Sequence, residues 1–203
     1  MKIWIVKGDF NKRACLDAED GLENSRNLYD FHKKGIVENW PGLKVTFNCG
    51  RKRKDAIPLQ NVTDFTSHSF LFICDGFAKQ KLLEKYDCIQ FLPVEPIEKD
   101  IAKENNFYLP NVLDFAYVLD EENSALEYGL YNTVSGVKKY VFLPEVKNHP
   151  IFYLCVLERN RAFLDVFVTD EFKDYVENCG ITGFIFKEVF DFDEPDKEYP
   201  LMW

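Results

Sequence analysis

A thiol-dependent hydrolase needs a cysteine, a base to hold the thiol proton and a carboxylate to orient that base. Cys49, His68 and Asp64 can be drawn into such a set. Nothing in their spacing selects it, so the plain expectation is three structural residues. Asp191, Asp193, Glu194, Asp196 and Glu198 form a second candidate group near the end of the chain. The run lacks the glycine and the terminal bidentate glutamate of a calcium loop, so no metal is expected there. The plain expectation is a solvated tail, and its candidate functional role is partner binding, through attraction to a basic protein surface. Arg51-Lys52-Arg53-Lys54 could meet phosphates, but no aromatic interleaves it, and it reads as an exposed, solvated loop.

The common catalytic signatures are absent. The sequence contains no G-x-x-x-x-G-K, G-x-G-x-x-G, H-E-x-x-H or G-x-S-x-G, and no kinase set. His32, His68 and His149 are far apart. Cys15, Cys49, Cys74, Cys88, Cys155 and Cys179 are irregularly spaced with no C-x-x-C, which signals neither structural zinc nor a redox pair. Several lie in apolar runs such as Tyr153-Leu154-Cys155-Val156, where a reduced thiol packs as a small hydrophobe. No catalytic residue, cofactor or metal site is expected.

The elements that would position these residues are mostly strands. Residues 3–6, 44–47, 139–143 and 151–157 read as strands, and Leu28, Phe31 and His32 suggest one face of a short helix ended by Gly35. Phe107-Tyr108-Leu109 and Val112-Leu113 flank Pro110-Asn111, and residues 120–124 read as a turn. The clearest feature is a pair of similar units. Displaced by 95 positions, Phe72/Phe167, Asp75/Asp170, Phe77/Phe172, Phe91/Phe186 and Val94/Val189 coincide. Each unit reads strand, acidic helix cap, a helix of about three turns, strand, because a carboxylate at the cap accepts the orphan N–H groups of the first turn. Phe172, Tyr175, Val176 and Cys179 make one buried stripe, and Asn178-Cys179-Gly180 stops the helix. The expected class is α+β: a strand-rich mixed sheet or sheets with few helices, including the two strand–helix–strand units. The 203 residues suit a single domain, which the paired units would divide into lobes of about 1–96 and 97–203.

Composition bounds the rest. Hydrophobic residues make up 46% of the chain, enough for a core and against disorder as a description of the whole. The net charge of −9 disfavours nucleic acid and anionic membranes as partners and would steer a cationic protein toward the chain, although solubility alone is a sufficient explanation of it. The opening apolar run is too short for a signal peptide, no stretch approaches the roughly 20 apolar residues that span a bilayer, and no lipidation pattern is seen. The Asn61-Val62-Thr63 sequon reads as chance. A reducing cytoplasm is the expected location.

The order of the segments carries a resemblance. Asp9-Phe10-Asn11 after the opening strand comes first, followed by Phe72-Ile73-Cys74-Asp75 and Ile89-Gln90-Phe91-Leu92-Pro93-Val94-Glu95. Phe107–Leu113 and Leu119–Ser124 come next, then Val166-Phe167-Val168-Thr169-Asp170-Glu171-Phe172-Lys173 and Gly180-Ile181-Thr182-Gly183-Phe184. The ordered set resembles immunity protein family 11 of bacterial polymorphic toxin systems, formerly a domain of unknown function. The resemblance implies a cytoplasmic antidote that binds and neutralises a toxin domain, without catalytic residues. Two alternatives stand beside it: a generic interaction module of a bacterial assembly, suggested by the acidic tail, and the hydrolase that Cys49, His68 and Asp64 would require.

Overall fold

The computed structural model describes residues 1–8, 15–18, 40, 42, 44–48, 65–68, 71–96, 106–157 and 162–199. The expected helix at 28–35, the basic run at 51–54, the sequon, Asp9-Phe10-Asn11, Cys49 and Asp64 lie outside the described residues. The chain forms two compact units, neither continuous in sequence. One comprises Met1–Val6, Asp114–Tyr175 and Phe186–Trp203, the other Lys7–Leu113 and Val176–Ile185. The expected boundary at 96/97 falls between two strands that pair directly, residues 89–96 and 107–112.

The described strands are β1 (Lys2–Gly8), β2 (Cys15–Ala18), β3 (Lys44–Asn48), β4 (Phe65–His68), β5 (Leu71–Asp75), β6 (Ile89–Pro96) and β7 (Phe107–Val112). They continue as β8 (Phe115–Ala116), β9 (Ala125–Tyr128), β10 (Val134–Lys139), β11 (Ile151–Leu154), β12 (Val166–Thr169) and β13 (Phe184–Asp191). Two α-helices accompany them among the described residues, α1 (Gly76–Leu83) and α2 (Asp170–Asn178). The protein is thus α+β and strand-rich, as the sequence predicts.

The six-stranded sheet has the order β2-β3-β6-β7-β5-β4. β3 pairs with β6 in parallel and the other pairs are antiparallel, so the sheet is mixed. Ile73, Leu92, Leu109 and Val112 of its strands are buried. Helix α1 contributes Ala78 and Leu82, four residues apart and both buried, and Tyr86 follows them. Pro110 does not interrupt β7; it stands opposite Phe91 inside the ladder. Asn111 is buried there, and its Nδ2 donates to Gln90 Oε1 across the same strand pair at 3.3 Å.

The five-stranded sheet has the order β13-β1-β12-β11-β8. β1 and β11 pair antiparallel with β12, and β8 pairs in parallel with β11. The register sets Ile5 and Phe152 opposite Phe167, so the period of two places these three side chains on one face. They join Ile3, Phe142, Leu154, Val189 and Phe190 in a continuous core. The other face of the same strands carries Trp4, Val168 and Ile151 in register. Because both faces of β12 are covered, Val166 through Thr169 are buried without alternation.

The two strand–helix–strand units lie in different sheets and share one arrangement. β5 and β6 flank β7 in one sheet, and β12 and β13 flank β1 in the other. Each unit therefore leaves a gap of one strand that a third strand fills. Asp75 caps α1 as expected, its Oδ1 accepting from Ala78 N–H at 2.9 Å. Asp170 has a role that a cap reading does not contain. Its two oxygens accept from β1, Oδ2 from Lys2 N–H at 2.7 Å and Oδ1 from Trp4 Nε1 at 2.8 Å.

In α2 Phe172 and Val176 are buried while Tyr175 and Cys179 are half-buried. The helix stops where expected. Gly180 adopts φ +72°, and the Gly180 and Ile181 N–H groups donate to the Glu177 and Val176 carbonyls, the paired bonds of a Schellman ending.

The run at 139–143 is only partly a strand. β10 ends at Lys139, and Phe142 makes an isolated antiparallel bridge with Leu119. The turn at 120–124 forms as read, with Asn123 N–H and Ser124 N–H both donating to Asp120. Among the described residues β9 and β10 pair only with each other, as a two-stranded ribbon.

Candidate partner-binding surface

The acidic run at the end of the chain leaves β13 and folds back over it. Asp191, the last residue of β13, is 4% exposed and turned inward. Its Oδ1 accepts from Asp193 N–H at 3.0 Å and its Oδ2 lies 3.5 Å from Lys2 Nζ. Successive turns follow, with Glu194 N–H donating to Asp191 O and Lys197 N–H to Glu194 O. The turns leave Asp193, Glu194, Asp196 and Glu198 exposed. Of the five carboxylates read from sequence as one group, four face solvent and Asp191 anchors the turn that displays them.

The fold-back is held by a residue outside that group. Glu188, in β13, accepts through Oε2 from Lys2 Nζ at 2.7 Å. Its Oε1 accepts from Lys197 Nζ and from Tyr199 O–H, the latter at 3.1 Å. Nothing in the local sequence singles out Glu188, because its partners come from opposite ends of the chain.

Partial burial disfavours the Glu188 charge, but the hydrogen bonds from Lys197, Lys2 and Tyr199 outweigh it and hold its pKa below the ordinary carboxylate range. Because the folded value is depressed, the network stabilises the protein above the ordinary glutamate value of 4.5. That contribution is lost as the pH falls through the lower folded value. Thermal melting should therefore give the wild type a Tm above that of Glu188→Gln at neutral pH, by on the order of 2 °C. The gap should close in acid. An unchanged gap at about pH 3 would mean the carboxylate does not hold the tail.

The histidines and cysteines fall elsewhere. His149 Nδ1 lies 2.8 Å from Asp114 Oδ2, and its ring meets the edge of Phe152. His68 ends β4, paired through its backbone with Leu71. Its proposed companions Cys49 and Asp64 lie outside the described residues. Cys74 and Cys155 are buried, and desolvation pushes both thiols up, the environment of a packing residue rather than a nucleophile. Among the described residues, no three His, Cys, Asp or Glu side chains converge as a metal site. No helix among them is long and apolar enough to cross a membrane.

The exposed chemistry of the described residues is thus a charged, structured surface. The chain matches the immunity protein family (Imm11) over residues 7–191, nearly its whole length, and belongs to that family. Such a family is generally non-catalytic, and membership implies an immunity-type function with a toxin partner. No curated protein matches the chain.

Proposed function

We propose that the protein binds one cognate bacterial toxin domain in the cytoplasm and neutralises it by stoichiometric contact, without turnover. The family match over residues 7–191 carries this reading. The net charge of −9 and the exposed carboxylates Asp193, Glu194, Asp196 and Glu198 support a basic partner surface, since complementary charge speeds encounter and filters partners. A stable complex of this kind buries about 800 Å² on each side.

The test is survival. The C-terminal domain of the large protein encoded immediately upstream is expressed in bacteria with and without this chain. Death without it and rescue with it are expected. Killing that the chain does not relieve would count against the reading and favour a generic interaction module.

A further inference from the structure

The β9–β10 ribbon is seated along one face, and the loop that joins its strands is bare. Leu126, Val134 and Val137 pack on the core of their unit. Beyond the Tyr128–Val134 pair the loop of residues 129–133 carries Leu130 and Tyr131, 83% and 96% exposed, with Tyr128 half exposed behind them. Tyr131 stands at φ 62°, ψ 26°, the only non-glycine residue with positive φ among the described residues. An L-residue with a bulky side chain enters this region against steric resistance, and Tyr131 buries almost nothing within the chain to offset it.

The loop is nevertheless tightly tied. Gly129 N–H donates to Thr133 O at 2.8 Å, Thr133 Oγ1 to Leu130 O at 3.0 Å, and Ser135 Oγ to Glu127 O at 3.1 Å. A Cβ on Gly129 would stand 3.2 Å from Ser135 Cβ, so the two strands approach closely there. An exposed aromatic and an exposed leucine held on a tied, locally strained loop are already arranged for contact. A tyrosine fixed in this way loses little further freedom on binding.

We propose that Leu130 and Tyr131 are the apolar anchor by which the protein enters a recess on its toxin partner, and that this recess is bordered by positive charge. The proposal rests on the toxin-binding reading and names the surface that performs it. The charge follows from what lies at the other end of the ribbon. Asp196 Oδ1 of the acidic tail is 3.9 Å from Lys139 Nζ, at the end of β10 away from the loop. The six residues of β10 span about 20 Å. An interface of ordinary size is roughly 30 Å across, comparable with the length of the ribbon, so a partner seated on the tip and lying along the ribbon reaches toward Asp196. An exposed apolar tip fits a concavity, and exposed Asp196 beside the ribbon's base fits a cationic border.

The experiment uses the full chain and the purified toxin domain encoded immediately upstream, titrated calorimetrically. Tyr131→Gly suits the backbone and removes no buried packing, so its Tm should equal or exceed the wild type's. Its Kd should rise by about tenfold or more, as for a central aromatic anchor, and Leu130→Ser should behave similarly. Raising the salt should raise the Kd of all three proteins, and a wild-type Kd indifferent to salt would overturn the cationic border. Wild-type binding that neither substitution weakens beyond about twofold would overturn the anchor and leave the toxin-binding reading standing. Failure of the wild type to bind would overturn both. A wild-type dimer that Leu130→Ser dissociates, with toxin binding unchanged, would assign the tip to a second copy of the chain and overturn the proposal.

Discussion

Replacing Phe167 with alanine should destabilise the protein by about 3–5 kcal/mol, the range for deleting a fully buried aromatic ring and leaving its cavity. Phe167 is wholly buried in the central strand of the five-stranded sheet. Its ring stacks on Phe152 with centroids 5.7 Å apart and meets Tyr140 at 5.6 Å and Phe142 at 6.0 Å. Ile5 and Phe152 flank it in register, so neighbouring side chains cannot collapse into the gap without breaking paired strands. Urea unfolding measures the effect, with the midpoint falling at an unchanged slope. A loss below about 1 kcal/mol would mean that the ring is not the centre of this core.

Asp170→Ala should cost about 2–4 kcal/mol, on the scale of two hydrogen bonds to a charged acceptor. The half-buried carboxylate ties the start of α2 to β1 across 166–168 residues of sequence. Its removal leaves the Lys2 N–H and the Trp4 indole N–H without this acceptor. Asparagine should recover little, because its amide would set a donor against one of those two donors. Unfolding in urea gives the size, and a shift of the Trp4 indole N–H resonance locates the change at Trp4. Wild-type stability in Asp170→Ala would show that water replaces the carboxylate and that the bridge contributes nothing net.

The comparison of these two residues shows what can be read locally. Phe167 is legible because it sits in a short continuous apolar run, the pattern of a strand covered on both faces. Asp75 and the Gly180 stop are legible for a similar reason, since a cap and a Schellman ending involve only residues within one turn. Asp170 occupies the same local pattern as Asp75, yet its partners are at the opposite end of the chain. The insertion of β1 between β12 and β13, and of β7 between β5 and β6, is hidden on the same grounds. A strand–helix–strand pattern specifies two strands and not the gap between them.

The surface followed the same division. The acidic run was visible as composition, but the inward turn of Asp191 and its display of the other four depend on Lys2 and on the fold-back held by Glu188. The tip at Leu130 and Tyr131 had one local signal, aromatic and apolar residues between Gly129 and Asn132 where turn residues are expected. Exposure is a tertiary property, and it is the fold that buries Val134 while leaving Leu130 and Tyr131 of the adjoining loop in solvent.

The central claim is inhibition by one-to-one contact, and titrating toxin activity against added protein tests it most directly. With the toxin domain held well above the dissociation constant, its activity should fall linearly and reach zero at one equivalent. Complete loss of toxin activity at a small fraction of an equivalent would require turnover, and undiminished activity at several equivalents would exclude neutralisation. Either result would contradict the account.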